Sequence, residues 1–410
     1  MRFRKDKQFY KFSLYGFFKN LKFYDPFLLL FFVESGISYS EIGVLYAFRE
    51  LVINLLEIIS GVIADVLGRK KAMVSAFSCY LLSFILFYLL SGFWGFMLAF
   101  LFYGVGDSFR TGTHKAMIHA YLVRKDWQSE KTRYYGMTRS WSQKGSAVSS
   151  LISACLVFYT GDYSLMFLMT TIPYLFDLLL LSSYPSYLNG DTSGSVKTVF
   201  KDFREHVIRL FKAIINKAAL KAIVLTSGFT GYYKAIRDYI QIIITTLAGL
   251  HILSDSFTIE QNTAIYIGVI YFIIYLITSN ASRNAYRVEN FFKQATNGLG
   301  VLQISGYAFG IVAGLLFMMN YAIPALLLFS MILIIQNLRR PLAVKYITTQ
   351  FDVKIMASVM SVESQSETLF ASVLAFILGV VVDVAGLGWG ITSLSVLLLV
   401  MSIAFRRIKV

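Results

Sequence analysis

Two short stretches of the sequence place basic and aromatic residues together inside long apolar runs. They are GFFKNLKFY at 16–24 and GYYKAIRDY at 231–239, and their basic residues are Lys19, Lys22, Lys234 and Arg237. Burying one such charge in a membrane helix costs about 3 kcal/mol on insertion scales, so each stretch must gain something in return. Ammonium and guanidinium groups form charge-assisted hydrogen bonds with carboxylates and phosphates. The stretches therefore predict a binding site for a negatively charged organic molecule.

The same stretches reveal an internal repeat. They agree at seven of nine positions when chemically similar residues are counted. IGVLY at 42–46 likewise returns as IGVIY at 267–271, and Arg110 lies about as far along its apolar run as Arg339 does in a later run. Because the matches keep the same order in each half, the sequence predicts a duplicated unit.

Other residues of the apolar runs extend the predicted solute site. The predicted solute-binding residues are Lys19, Lys22, Tyr24, Arg110, His114, Arg139, Tyr233, Lys234, Arg237 and Arg339. The runs hold eleven basic residues against eight acidic ones, so mutual pairing leaves a positive surplus. A second interpretation is that many of these charges are scaffolding, paired at three- or four-residue spacing on one helix face. Such pairs are Lys22 with Asp25, Asp107 with Arg110, and Lys234 with Asp238.

Acidic residues in the same runs are candidates for ion coupling. A carboxylate that carries a proton must change protonation near neutral pH, which requires desolvation or a like-charged neighbour. Glu363 and Glu367, like Glu50 and Glu57, place two acids on one helix face. The predicted coupling residues are Asp107, Glu50, Glu57, Asp238, Glu363 and Glu367. The alternative is that Arg or Lys from another helix holds each acid ionised.

Composition assigns the chain to the membrane class. Its 410 residues are 57% hydrophobic and 16% aromatic, with a mean hydropathy of +0.63, values that soluble domains do not reach. Cys79 and Cys155 fall inside apolar runs without disulfide or metal spacing, and we interpret both as packing residues. His114 and His119 are too far round a helix to share a metal ion. We expect neither a metal nor a cofactor.

Twelve apolar runs are each long enough to cross about 30 Å of hydrocarbon. They are residues 12–34, 41–64, 73–92, 94–121, 134–159, 163–183, 220–247, 262–282, 298–318, 321–346, 356–382 and 388–405. Lys and Arg concentrate in alternate connections, such as 65–72 and 123–133, and are absent from the others. By the positive-inside rule both termini are predicted to be cytoplasmic. The net charge of +15 therefore reflects topology and not nucleic-acid binding.

The longest connection divides the chain into two halves. We predict an N-terminal six-helix bundle at 1–184, a cytoplasmic linker at 185–219 and a C-terminal six-helix bundle at 220–410. Between 199 and 214 the linker has apolar residues at helical spacing among basic ones, which is typical of an amphipathic helix on a membrane surface. The predicted fold class is an all-α membrane protein of twelve transmembrane helices in two pseudo-symmetric bundles.

Charge is distributed unevenly over the twelve predicted helices. The first, second, fourth, fifth, seventh, tenth and eleventh carry intramembrane charges, whereas the third, sixth, ninth and twelfth carry only Asp177. Helices without charge can face lipid, but charged helices must line something polar. We therefore expect a central aqueous cavity with a positive bias.

The connection after the second helix carries a motif. GVIADVLGRKK at 61–71 fits the pattern G-x-x-x-D-x-x-G-R-K through Gly61, Asp65, Gly68, Arg69 and Lys70. Here the chain resembles the major facilitator superfamily (MFS) of secondary transporters, which has this signature between its second and third helices. The resemblance implies that these five residues form a conformational gate, in which Asp65 accepts hydrogen bonds near the start of helix eleven and Arg69 supports it. It also implies a substrate site among helices one, four, seven and ten.

These observations predict a secondary active transporter that moves a small anionic or zwitterionic organic solute by alternating access, coupled to a proton or a sodium ion. A second hypothesis keeps the fold but makes the chain an exporter of amphipathic or cationic compounds. The fifth predicted helix, SWSQKGSAVSSL, lacks the Gly-Pro motif of drug/proton antiporters, which disfavours that hypothesis.

A third hypothesis is a membrane enzyme or receptor. The sequence contains no nucleophile–base arrangement and no metal motif, which disfavours this hypothesis. We expect a protein that is not an enzyme. Its partners are expected to be a small-molecule solute and the lipid bilayer, without nucleic acid. It is expected to work as a monomer in a prokaryotic cytoplasmic membrane.

Overall fold

The structure, a computed structural model, describes residues 5–111, 113–127, 130–189, 217–254, 256–292, 295–350 and 353–407. Within these ranges the chain forms α-helices joined by short turns and 3₁₀ segments, and no strand. The predicted amphipathic helix at 199–214 lies outside the described residues. The predicted boundaries of the linker therefore stay a prediction.

The helices of the first half are α1 (Lys7–Lys19), α2 (Leu28–Glu34), α3 (Tyr39–Leu67), α4 (Arg69–Leu89), α5 (Gly92–Arg110), α6 (Thr113–Arg124), α7 (Lys131–Thr160) and α8 (Leu165–Ser182). Those of the second half are α9 (Lys217–Ile236), α10 (Ile240–Leu250), α11 (Ile259–Phe292), α12 (Ala295–Met318), α13 (Ala322–Gln350), α14 (Val353–Ala385) and α15 (Leu387–Arg407).

Each of the twelve predicted spans lies on one helix or on two helices separated by a short break. Three spans are broken: the first into α1 and α2, the fourth into α5 and α6, and the seventh into α9 and α10. Within the described residues, seven stretches are long and apolar enough to cross a membrane, judged by length and composition alone. The all-α fold predicted from apolar run length is therefore confirmed.

Packing divides the chain into two units, Met1–Phe27 with Leu51–Arg204, and Leu28–Glu50 with Glu205–Val410. In the first unit, α1 packs against α7, and α4 packs against α5 and α8. In the second unit, α9 packs against α14, and α12 packs against α13 and α15. These are the same pairs counted from the start of each half, first with fifth, third with fourth and third with sixth. The internal repeat is thus present in the helix packing as well as in the sequence.

The first residue of each repeated stretch lies where its helix crosses the fifth helix of the same half. A Cβ atom on Gly16 would lie 3.4 Å from the carbonyl oxygen of Thr138 on α7. A Cβ atom on Gly231 would lie 3.0 Å from the backbone nitrogen of Ala371 on α14. Glycine therefore permits the close backbone approach at Gly231, and at Gly16 it leaves room for the Ser142 hydroxyl oxygen, which lies 2.6 Å from such a Cβ position.

Gly231→Ala is expected to lower the stability of the protein by about 1–3 kcal/mol, because the added methyl group meets the α14 backbone, which cannot rotate away. The measurement is the thermal unfolding midpoint of the purified protein in detergent. Gly249→Ala is the matched control, since a Cβ atom there meets nothing within 4 Å and the same span is changed. It should leave the midpoint unchanged or raise it slightly. Equal losses in both variants would show that the crossing is not tight.

Candidate functional site

The first span is interrupted at the repeated basic stretch. α1 ends at Lys19, and helical structure resumes with a 3₁₀ turn at Asp25–Phe27. A break inside a membrane leaves backbone groups that need new hydrogen-bond partners. Side chains of α8 supply them: the Tyr174 hydroxyl donates to the Lys19 carbonyl oxygen at 3.1 Å, and the Phe23 amide donates to the Thr170 hydroxyl at 3.1 Å. The break is therefore a built feature of the fold.

Two lysines lie at this break, and both side chains are partly exposed. Lys22 lies within it and donates from its ammonium group to the Tyr103 hydroxyl at 2.6 Å. Lys19 is the last residue of α1, where a positive charge also interacts favourably with the helix dipole. Neither lysine forms an ion pair with any carboxylate among the described side chains.

An ionic cluster on α4 and α5 acts on the same region. Two nitrogens of Arg110, Nε and Nη2, donate to one carboxylate oxygen of Asp107 at 3.0 and 2.7 Å. The Tyr80 hydroxyl donates to the same oxygen and accepts from Arg110 Nε at 3.0 Å. Both charges of this cluster interact electrostatically with Lys19. The predicted pairing of Asp107 with Arg110 is confirmed, so the two lysines form the positive surplus here.

A buried carboxylate also interacts with Lys19. Asp177 of α8 is 0% exposed, and its two carboxylate oxygens accept no hydrogen bond from the described residues. Lys19 is the charged group that acts on it. No role was predicted for this acid, although a lone charge in an otherwise apolar span is the signal that marks it.

His114, predicted as a solute ligand, lies on α6 against α1. Its ring stacks on the ring of Tyr15 with centroids 3.7 Å apart, and its Nε2 lies 3.4 Å from the Tyr184 hydroxyl. Arg110 and Lys19 both act on it electrostatically. The structure therefore brings together Lys19, Lys22, Arg110 and His114 from the predicted set.

The seventh span is broken at the equivalent point of the repeat. α9 ends at Ile236, and a 3₁₀ turn at Arg237–Tyr239 precedes α10. Arg237 Nε pairs with the buried carboxylate of Asp238 at 3.2 Å. Breaks at corresponding positions of two repeats are how many transporters expose backbone and charge at a binding site.

A glutamine after the second break binds the start of α2. The side-chain oxygen of Gln241 accepts from the amides of Leu29 and Leu30 at 2.9 and 3.3 Å, and its nitrogen donates to the Tyr271 hydroxyl at 3.4 Å. Gln241 is fully buried. It thereby satisfies two of the amides that a helix N-terminus leaves unpaired.

Lys234 forms its ion pair with another helix. Its ammonium group lies 3.1 Å from Glu50 of α3, and Arg49 donates to the other oxygen of the same carboxylate at 3.1 Å. The predicted partner of Lys234 was Asp238, which pairs instead with Arg237. Local spacing on one helix missed this pair because it depends on tertiary packing. Glu50, predicted as a coupling residue, lies between two cations.

Arg339 is buried in the second unit with 1% of its surface exposed. Its guanidinium donates to the carbonyl oxygens of Leu225 at 2.7 Å and Leu299 at 3.4 Å and to the Gln303 side chain at 3.4 Å. It also lies 4.5 Å from the centroid of the Phe229 ring. These contacts are those of a cation that holds helices together.

The remaining predicted residues lie in varied surroundings. Tyr24 is buried, Tyr233 is half-buried and Arg139 is exposed on α7. Of the acids, Glu57 and Glu367 are half-buried, and Glu363 is buried with a hydrogen bond from the Thr226 side chain. Among the described residues no group of His, Cys, Asp and Glu has the geometry of a metal site.

The signature connection joins α3 to α4 at Gly68. Its φ of 93° lies in the region that favours glycine. Lys70 donates from its amide to the side-chain oxygen of Asn189 at 3.0 Å and from its ammonium group to the Tyr184 carbonyl oxygen at 3.1 Å. This connection is therefore fastened to the segment that follows α8.

Arg69 begins α4 directly after this glycine. Gly61 and Asp65 lie on α3, and the Asp65 side chain falls outside what the structure describes. The gate role of all five signature residues stays a prediction.

Comparison with known proteins decides the family. The family model described as Major Facilitator Superfamily matches residues 16–362. The chain belongs to the Major Facilitator Superfamily. No curated protein matches this MFS chain.

Solved structures show the same fold. The nucleoside transporter NupG aligns with a TM-score of 0.75 and 11% identity, covering 98% of this chain and 100% of its own. A POT family transporter in complex with a thioalcohol-conjugated peptide aligns with a TM-score of 0.68 and 12% identity, covering 98% of this chain and 95% of its own. A POT family transporter in complex with 5-aminolevulinic acid aligns with a TM-score of 0.67 and 11% identity, covering 98% of this chain and 95% of its own. Family and fold make the chain a multi-pass integral membrane protein of the transporter class.

The ion pair between Glu50 and Lys234 is expected to show a coupling free energy of about 1–2 kcal/mol in a double-mutant cycle, because the glutamate is buried and the pair is close. The variants are Glu50→Gln, Lys234→Met and both together, and the measurement is thermal unfolding. A control cycle uses Arg340→Gln in place of Lys234→Met, because Arg340 is an exposed cation of α13. The destabilisation of the double variant should there equal the sum of the two single effects. Additive effects for Lys234 as well would contradict the observed pair.

Proposed function

We propose that this MFS protein is a secondary active transporter of a small anionic or zwitterionic organic solute, driven by a proton. The observation that carries the proposal is the pair of lysines at the break of the first span, Lys19 and Lys22. Both lie in a membrane region, are partly exposed and have no carboxylate partner among the described side chains.

The charges around this break favour an anion. Arg110 is paired with Asp107, which also accepts from the Tyr80 hydroxyl, so Lys19 and Lys22 contribute the net positive charge here. An anion between the two ammonium groups would lower the cost of holding them in the membrane. Charge-assisted hydrogen bonds to a carboxylate or phosphate would supply the binding free energy. A cationic solute would add to the repulsion.

The structural relatives support a polar organic solute. The POT family structures contain a conjugated peptide and 5-aminolevulinic acid, and NupG is a nucleoside transporter. Peptides and amino acids carry a carboxylate that could meet the two lysines. Nucleosides are uncharged and would not use them, so the charge of the preferred solute is the property to measure.

The same proposal includes topology and environment. The distribution of basic connections supports cytoplasmic termini by the positive-inside rule, and we propose that the protein works as a monomer in a prokaryotic cytoplasmic membrane. The five signature residues around Gly68 are proposed to gate the cytoplasmic side.

The test is thermal stabilisation of the purified protein by a panel of defined solutes. The panel contains succinate, glycerol 3-phosphate, 5-aminolevulinic acid, dialanine, uridine and tetraphenylphosphonium. A ligand present at 100 times its Kd stabilises by about 2.7 kcal/mol, which is readily seen as a higher midpoint. We expect shifts from carboxylates, phosphates or zwitterions. Stabilisation by tetraphenylphosphonium alone would support the exporter of cationic compounds, and by uridine alone a carrier of neutral solutes.

A further inference from the structure

One face of α8 carries three buried polar residues, Thr170, Tyr174 and Asp177, at helical spacing. All three are 0% exposed. Thr170 and Tyr174 bind the backbone of the broken first span. Asp177 continues the same face by one turn, but its carboxylate oxygens bind nothing within the described part of the chain.

An ionised carboxylate in this position is costly. Burying a charge without hydrogen bonds costs several kcal/mol even after relaxation, whereas a neutral carboxyl group costs far less. Replacement of such a group by an apolar residue would usually stabilise a protein. The position of Asp177 is therefore explained better by a proton that binds and leaves than by a structural role.

Titratable groups of several packed elements surround Asp177. From α1 they are Lys19 and Tyr15, which both interact electrostatically with the carboxylate. Tyr174 on α8 and Tyr184, which follows α8, also interact electrostatically with the carboxylate. Lys19 is thus the cation available to an ionised Asp177.

Two other elements pack against α8. α4 contributes Tyr80, whose hydroxyl is occupied by Asp107 and Arg110. The described part of α7 contributes no titratable group that acts on Asp177. The charges of α5, Asp107 and Arg110, interact electrostatically with Lys19.

We propose that Asp177 is the proton-binding residue of the transporter, and that its protonation state decides whether Lys19 is available to the anionic solute. With the proton on a carboxylate oxygen, Asp177 is neutral and the Lys19 ammonium group faces the solute. When the proton leaves, the carboxylate attracts the same ammonium group and competes with the solute. Proton and anion therefore bind together and are released together, which is the requirement for symport.

This inference rests on the proposed function for its transport consequence, but the protonation itself can be measured without any solute. Infrared spectroscopy of the full-length protein in liposomes reports the C=O stretching band of a protonated carboxylic acid. We expect a band at neutral pH that is lost in Asp177→Asn and in Asp177→Leu. Asp162→Asn is the matched control, since Asp162 is an exposed carboxylate just before the same helix that accepts from the Ser164 amide, and the side-chain oxygen of asparagine can accept the same bond. An identical band in wild type and both Asp177 variants would overturn the proposal.

The second measurement concerns coupling, with succinate and 5-aminolevulinic acid as probes. Binding that needs one proton weakens about tenfold for each pH unit above the titration of Asp177. Asp177→Asn should bind with an affinity independent of pH and should exchange the probe between the two sides of liposomes. It should not accumulate the probe under an imposed proton gradient. Accumulation by Asp177→Asn equal to that of wild type would overturn the coupling role.

The two failures are distinguishable. If the infrared band behaves as expected but neither probe binds the wild-type protein, the anion proposal fails and the buried proton site stands. If wild type binds and accumulates a probe while the band is unaffected by Asp177→Asn, the proton site is elsewhere and the anion proposal stands.

Discussion

Lys19→Met is expected to weaken binding of whichever anion or zwitterion stabilises the protein by about 10- to 100-fold. Removal of one partner of a charge-assisted hydrogen bond costs about 1.5–3 kcal/mol, and each 1.4 kcal/mol is a factor of ten in Kd. Lys22→Met should have an effect of similar size, because its ammonium group lies at the same break and is held by the neutral Tyr103 hydroxyl. Isothermal titration with the stabilising solute measures both.

The matched control is Lys11→Met. Lys11 lies on the same helix, carries the same charge and donates to the Ser183 carbonyl oxygen at 2.7 Å. Its removal should leave the Kd within about twofold, since long-range charge effects of exposed groups are screened. Equal losses for Lys11 and Lys19 would mean that net charge alone governs affinity, and the specific role of the break would be lost.

Arg110→Gln is expected to destabilise the protein by about 3 kcal/mol, seen as a fall of about 3–4 °C in the unfolding midpoint. The Asp107 side chain is 20% exposed and would keep its charge, with the Tyr80 hydroxyl as its remaining hydrogen-bond donor among the described side chains. Breaking a mostly buried pair from one side costs more than the pair itself contributes, because the remaining charge is left uncompensated.

The double variant Asp107→Asn with Arg110→Gln should recover most of that loss, since no unpaired charge remains. Tyr80→Phe should cost only about 1 kcal/mol, the usual contribution of one neutral hydrogen bond. A double variant as unstable as Arg110→Gln would show that Arg110 has a partner more important than Asp107.

Long-range architecture followed from local properties of the sequence. Apolar run length gave the twelve spans, and the order of repeated residues gave the duplicated packing seen around Gly16 and Gly231. The repeated basic stretches also marked where the first and seventh spans break. The breaks themselves were not predicted, because a hydropathy pattern is the same whether backbone groups are paired within the helix or by side chains such as Tyr174.

Side-chain pairing was predictable only within a helix. Asp107 and Arg110 are three residues apart, so their pairing follows from helical geometry. The pairing of Lys234 with Glu50 depends on tertiary packing, which one sequence does not reveal. No role was predicted for Asp177, because its helix carries no other charge and nearly uncharged helices can face lipid. Thr170 and Tyr174 on the polar face of this helix instead form hydrogen bonds with the backbone of the first span.

Uptake into sealed liposomes tests the central claim most directly. Purified protein is reconstituted, a proton gradient directed inward is imposed, and the panel solute that gives the largest thermal shift is followed. Proton-driven transport of an anion or zwitterion predicts accumulation above the external concentration, which collapses when an ionophore removes the gradient. Uptake that only equilibrates, or that occurs with tetraphenylphosphonium and with no anion or zwitterion, would contradict it.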